Sequence, residues 1–203
     1  MERVDVETLR FETIDGVSLE GDVVSRADPT GAAVVCHPHP LYGGSRHDSV
    51  VAAISRALVE AGYRALRFDF RGTGGSAGEH GGGEPEQLDL VAAIDAVAVP
   101  GQPLVVAGYS FGADVALSVD DPRVERWVTV APVLSVFGSF AAASDGRSKT
   151  LIAATGDQFR TARDVERATD GWIATDIVAI GAADHFFQGR LGPVEEAVRA
   201  AVA

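Results

Sequence analysis

The sequence predicts an α/β fold: a mostly parallel sheet of eight strands, with helices on both faces and an antiparallel hairpin at the N-terminal end. Three observations predict it. Short, continuously apolar segments such as Ala32–Cys36 read as strands buried on both faces. They alternate with segments whose apolar residues recur at helical spacing, such as Val50, Ile54, Ala57, Leu58 and Ala61. Ahead of both, Asp15-Gly16 is a tight-turn signal between two β-compatible stretches.

In order, Val6 to Ile14 and Val17 to Val24 make the hairpin. After the break at Asp28-Pro29-Thr30-Gly31 come strand Ala32–Cys36, helix Ser49–Ala61 ended by Gly62, strand Tyr63–Phe70 and helix Leu88–Val97. Strand Pro103–Tyr109 runs into a short helix, Phe111–Val119. Strands Val124–Ala131 and Thr150–Thr155, a short helix Ala162–Ala168 and strand Asp176–Ile180 follow. Helix Pro193–Ala201 closes the plan, with Val194, Ala197, Val198 and Ala201 on its inner face. Strands alternating with helices require parallel neighbours joined by crossovers, and so a sheet covered on both sides. Glycine is dense only from Arg71 to Gly83, read as one long loop, and Leu134–Ser148 is too short for a separate lid domain. No repeat, linker or charge block divides the 203 residues, so a single domain, 1–203, is expected.

The net charge of −12 argues against nucleic acid and anionic membrane surfaces as partners, because both would repel the chain. No window approaches the roughly 18 apolar residues of a membrane span. The start, Met1-Glu2-Arg3-Val4-Asp5, lacks the apolar stretch of a secretory signal, and the single Cys36 allows no intrachain disulfide. A cytoplasmic location is the expectation.

The chemistry is announced by Leu104-Val105-Val106-Ala107-Gly108-Tyr109-Ser110-Phe111-Gly112-Ala113, a Gly-x-Ser-x-Gly between a buried strand and a helix. A turn this sharp crowds the backbone two residues either side of the serine, where Gly108 and Gly112 omit the colliding Cβ atoms. Ser110 is thereby lifted to the C-terminal edge of the sheet, where open α/β folds bind ligands. The helix starting at Phe111 aims backbone N–H groups at the same point.

With that motif the chain resembles the α/β-hydrolase superfamily along nearly its whole length. Val35-Cys36-His37-Pro38-His39-Pro40-Leu41-Tyr42-Gly43-Gly44 stands where the family has its oxyanion loop. Phe68-Asp69-Phe70-Arg71-Gly72-Thr73-Gly74-Gly75-Ser76-Ala77-Gly78 is similar to the family's Asp-x-Arg-Gly-x-Gly-x-Ser segment. The doubled His-Pro looks like a small, lidless branch similar to dienelactone-hydrolase-like proteins. The resemblance implies the order Ser, acid, His. Asp157, at the end of Leu151-Ile152-Ala153-Ala154-Thr155-Gly156-Asp157, fits the acid, and His185, in Asp184-His185-Phe186-Phe187 after the last strand, fits the base. His185 is the sole histidine after Ser110. A serine hydroxyl attacks at neutral pH only if a neutral imidazole takes its proton, and a carboxylate orients that imidazole.

The resemblance also implies two oxyanion donors: the backbone N–H of Phe111 and one from the loop after the third strand. Pro38 and Pro40 have no N–H, which favours His39, with Leu41 second. Leu41, Tyr42, Tyr109 and Phe186 are candidate pocket walls, as are Phe111, Phe137 and Phe187; any of them could equally be core. Arg71 is expected to anchor its loop through a carboxylate such as Asp69, Asp184 to bind a backbone group, and His80 to face solvent. His37 and His39 stand at i, i+2 without a carboxylate or cysteine cluster at ligand spacing, so no metal and no other cofactor is expected.

The expected activity is cleavage of a carboxylic ester, or a related thioester or small amide, in a small-molecule acyl substrate through an acyl-serine. The alternative is a silent α/β-hydrolase-fold binding or scaffold protein. A nucleotide site at the glycine-rich loop is disfavoured: there is no Gly-Lys-Ser/Thr, and the next helix, read from Leu88, starts too far away. The physiological substrate and the oligomeric state are not legible.

Overall fold

The structure is a computed structural model that describes residues 3–203. Met1 and Glu2, part of the charged start read above, lie outside the described residues. Strands β1 (Asp5–Glu12) and β2 (Ser18–Ser25) pair antiparallel, with Glu12 opposite Ser18. Gly16 turns the chain at φ +81°, and the Thr13 hydroxyl accepts the Val17 N–H across the turn at 2.9 Å. Six more strands follow: β3 (Gly31–Cys36), β4 (Tyr63–Phe68), β5 (Leu104–Tyr109), β6 (Val124–Val130), β7 (Ser148–Ala154) and β8 (Thr175–Ile180). They lie side by side as β1-β2-β4-β3-β5-β6-β7-β8; the β1–β2 and β2–β4 pairs are antiparallel and the rest parallel.

Alternation along the central strands sorts the core into two layers. Ala33, Val35, Val105, Ala107 and Tyr109 pack toward α1 (Ser49–Glu60) and α5 (Leu191–Ala201). Ala32, Val34, Cys36, Leu104 and Val106 pack toward α2 (Glu84–Val97) and α3 (Phe111–Ser118). On that second face α4 (Ala162–Ala168) covers Leu151 and Ala153 of β7. Every residue of β3 and β5 is buried, which is why neither strand shows a polar alternation in the sequence.

The boundaries differ from the sequence reading chiefly at α2, which starts at Glu84 rather than Leu88. Pro85 sits in its first turn, where the missing N–H costs nothing. The buried Glu86 carboxylate accepts the N–H groups of Gly81 (2.8 Å) and Gly83 (2.7 Å). A helix therefore does follow the glycine-rich loop directly, but its anion-binding end is occupied by the chain's own carboxylate.

The sole lysine, Lys149, is wholly buried in β7. Its ammonium donates to the carbonyls of Asp145 (2.7 Å), Arg147 (2.8 Å) and Ile173 (2.7 Å), one acceptor for each proton. Among the described residues no helix is long and apolar enough to cross a membrane.

The strand order reverses direction between β3 and β5: the chain steps from β3 outward to β4, then back to β5 and on toward β8. The loops leaving the C-terminal ends of those two strands diverge and leave a crevice. Those loops carry Ser110 and the His-Pro-His-Pro segment.

Candidate active site

Ser110 sits at φ 56°, ψ −118°, a sparsely populated conformation that costs about 1–3 kcal/mol and must be held by its surroundings. Its N–H bonds the Val130 carbonyl on β6 at 2.9 Å. The flanking glycines are required by close backbone approach. A Cβ on Gly108 would lie 2.2 Å from the Gly112 carbonyl oxygen, and one on Gly112 would lie 2.4 Å from that of His37.

Ser110, His185 and Asp157 come together. Nε2 of His185 is 2.9 Å from Ser110 Oγ, and its Nδ1 is 2.7 Å from Asp157 Oδ2. Asp157 is nearly buried, which by itself raises a carboxyl pKa; the bonds from His185 and from the N–H groups of Phe159 (2.7 Å) and Arg160 (3.0 Å) outweigh burial and hold it below its ordinary value. An ionised Asp157 only accepts hydrogen bonds, so Nδ1 donates to it, which in the neutral ring leaves Nε2 as the acceptor that faces the serine hydroxyl. His185 is fixed at its backbone too: its carbonyl accepts from Tyr109 Oη at 3.0 Å, and its N–H donates to Gln158 Oε1 at 3.3 Å. The Phe159 ring stands edge-on to the imidazole, 4.7 Å between centroids.

The loop after β3 is tied down by His37, whose Nδ1 is 2.6 Å from the Pro38 carbonyl oxygen while Nε2 accepts the Phe70 N–H at 3.0 Å. Burial pulls the His37 pKa down to about 4, so it holds these bonds as a neutral ring. Both of its nitrogens are spent inside the protein, so His37 and His39 do not converge on a common ligand point. The His39 ring accepts the Leu41 N–H through Nδ1 at 3.3 Å and packs on Phe111, Tyr42 and His80, with centroids 4.7–5.0 Å apart. Leu41 is thereby lost as an oxyanion donor, which leaves His39 as the loop's candidate.

A cleft of about 670 Å³ opens beside Ser110 and His185, lined in part by Tyr42, Tyr109, Phe111 and Phe186 as the sequence suggests, and also by His39. Leu41 does not line it; on the 3₁₀ turn Pro40–Tyr42 its side chain is 72% exposed. Phe187 is core, and Phe137 packs on Phe140 outside the cleft. Asp48, Val133, Ser135, Val136 and Phe159 are lining residues that the sequence did not point to. The segment from Val133 to Val136 follows the C-terminal end of β6, an edge position that marks it in any parallel sheet.

Three polar expectations have different outcomes. Arg71 does anchor its loop, but through Asp89 (2.7 Å) and Asp15 (2.9 Å), because Asp69 is taken by Arg46, which bonds it through both backbone and guanidinium. His80 does not face solvent: its ring lies on Phe111 and His39, with Nδ1 2.8 Å from Glu86 Oε1. Asp184 accepts the Phe186 N–H at 3.1 Å, as read.

With the fold and this geometry in view, comparison with known proteins is decisive for the family. The pattern of the family described as serine aminopeptidase, S33, matches residues 27–168. The chain belongs to that family. This S33-family chain is 28% identical to an α/β serine hydrolase homologue from Coxiella burnetii, with a TM-score of 0.89 and 97% of each chain covered. It is 28% identical to a Xanthomonas campestris α/β serine hydrolase without a lid, with a TM-score of 0.86, covering 98% of this chain and 94% of that one. An uncharacterized protein of Rickettsia prowazekii is 29% identical over 195 residues, 89% of this chain and 82% of that one. The S33-family chain is thus a lidless α/β hydrolase, consistent with an open cleft over Ser110.

Proposed function

We propose that the protein cleaves a carboxylic ester, or a chemically related thioester or small amide, through an acyl-Ser110 intermediate. One observation carries this reading: the unbroken hydrogen-bond chain from Ser110 through His185 to Asp157, at the floor of the cleft. His185 Nε2 takes the Ser110 proton as Oγ attacks the acyl carbon. Asp157 holds the tautomer and offsets the imidazolium charge without taking the proton itself. The oxyanion is received by the Phe111 N–H, an unpaired donor of the first turn of α3, and by the His39 N–H. His185 then returns the proton to the leaving group, and a water activated at the same nitrogen releases the acid.

The test is labelling by a fluorophosphonate probe together with turnover of short-chain 4-nitrophenyl esters. Ser110→Ala should abolish both. Labelling that survives the substitution would remove Ser110 from the role. A chain that labels at no serine and turns over no ester would favour a silent binding protein on this fold.

A further inference from the structure

The lining of the cleft carries charge of one sign. None of its residues is lysine or arginine, and its one carboxylate is that of Asp48. Asp48 caps α1 through a single oxygen: Oδ1 accepts the N–H groups of Val50 (2.7 Å) and Val51 (3.4 Å). No hydrogen bond engages Oδ2 among the described residues, and Asp48 is itself a lining residue of the cleft. Its field reaches the floor, where it adds to burial in raising the pKa of Tyr109, the residue preceding Ser110. Nothing on the walls balances it. Burial and the neighbouring His80 hold the His39 imidazole below its ordinary pKa. Arg160 is not among the cleft's lining residues: its Nε donates to the Val133 carbonyl (2.6 Å), and it lines, with Asp164 and Arg167, a shallow groove that adjoins the cleft at Phe159. The other walls include Tyr42, Val133, Val136, Phe159 and Phe186, apolar or aromatic, and the uncharged Ser135, and the whole chain adds a net charge of −12.

We infer that the cleft selects substrates by charge: it takes neutral or cationic acyl compounds and rejects anionic ones, with Asp48 as the specificity-determining residue. This rests on the acyl-serine reading above. A substrate carboxylate within the cleft would stand several ångströms from Asp48 with no cation between them. At an intermediate dielectric that repulsion is worth on the order of tenfold in kcat/KM. The apolar walls supply binding without compensating an extra charge.

The experiment compares 4-nitrophenyl hexanoate with two analogues of matched chain length, the anionic hemi-adipate and the cationic 6-trimethylammonio-hexanoate. A third comparison moves the charge to the leaving group, with 3-carboxy-4-nitrophenyl hexanoate. Fluorophosphonate labelling of each preparation runs alongside. The expected result is a kcat/KM for at least one anionic ester about tenfold below the neutral one, and a cationic ester at or above it. Asp48→Asn keeps a capping oxygen for α1, and should relax the anionic penalty several-fold, as should ~1 M salt through screening. Equal rates for neutral and both anionic esters overturn the inference. So does a penalty that Asp48→Asn leaves unchanged, which would be steric. Labelling without turnover of the neutral ester overturns it as well. Failure of the serine reading itself is seen separately, as loss of labelling along with all turnover.

Discussion

Asp114 offers the sharpest test of how the fold holds one wall of the cleft. It lies one turn beyond Ser110 on α3 and is wholly buried, and its carboxylate accepts three consecutive backbone N–H groups: Leu134 (2.8 Å), Ser135 (2.9 Å) and Val136 (3.1 Å). Burial raises its pKa, and the three N–H donors work against that rise. Asp114→Ala removes every acceptor at once. Each unpaired donor costs about 1–3 kcal/mol, and water entering from the half-exposed side of the loop offsets part of it, so a loss of about 3 kcal/mol is expected. Asp114→Asn keeps one carbonyl and turns an N–H₂ toward the remaining donors, for a loss of about 1–2 kcal/mol. Urea unfolding measures both. Because Val133, Ser135 and Val136 line the cleft while Ser110, His185 and Asp157 are held by other elements, KM for a 4-nitrophenyl ester should rise more than kcat falls. An Asp114→Ala protein with wild-type stability and wild-type KM would refute the reasoning, since the loop would then be held by something else.

Three further outcomes follow from the same geometry. Gly112→Ala forces a Cβ to within 2.5 Å of the carbonyl oxygens of Cys36 and His37, so α3 must retreat from β3; a loss of about 1–3 kcal/mol in urea unfolding should accompany a disproportionate fall in kcat, because the Phe111 N–H moves with the helix. Lys149→Arg replaces a compact ammonium that meets three converging carbonyls with a planar fork that cannot reach all three, and should lower stability by roughly 2 kcal/mol, read as a drop in Tm. For His37, the folded pKa of about 4 lies below the unfolded 6.5, so the unfolded chain binds the proton first; stability is full above about pH 6.5 and falls by roughly 3 kcal/mol as pH drops through about 4, a slope that urea unfolding should show and His37→Gln should flatten.

The sheet, its hairpin and Ser110 are legible because each is written locally, whereas Asp157 and His185 are legible only through the order that the family resemblance implies. A strand buried on both faces is a run of apolar residues, a hairpin is Asp15-Gly16, and an elbow is two glycines around a serine. What stayed hidden are buried polar groups whose partners lie far along the chain. Asp114 serves backbone donors 20–22 positions away, and Lys149 reaches the Ile173 carbonyl 24 positions away; no periodicity records either. Proximity in sequence misled for Arg71, which stands two residues from Asp69 yet bonds Asp89, 18 positions on. The start of α2 was misplaced because glycines mask a capped terminus: the acceptor that closes it, Glu86, lies inside the helix.

These hidden contacts share a direction. His37 joins the loop after β3 to the end of β4, and the His80 ring, beside Glu86, packs the glycine-rich loop against Phe111 and His39. Asp114 joins α3 to the loop after β6. Each ties a connecting loop near the strained serine to a strand or helix. The strain at Ser110 has to be opposed by such contacts, since a free loop would relax it. Under the proposed acyl-serine reading, the buried polar groups around the site share a physical role, to hold the backbone donors and Ser110 in register before any substrate arrives. Their loss should show in the kinetics of ester cleavage, through KM for Asp114 and through kcat for His37, as well as in urea unfolding.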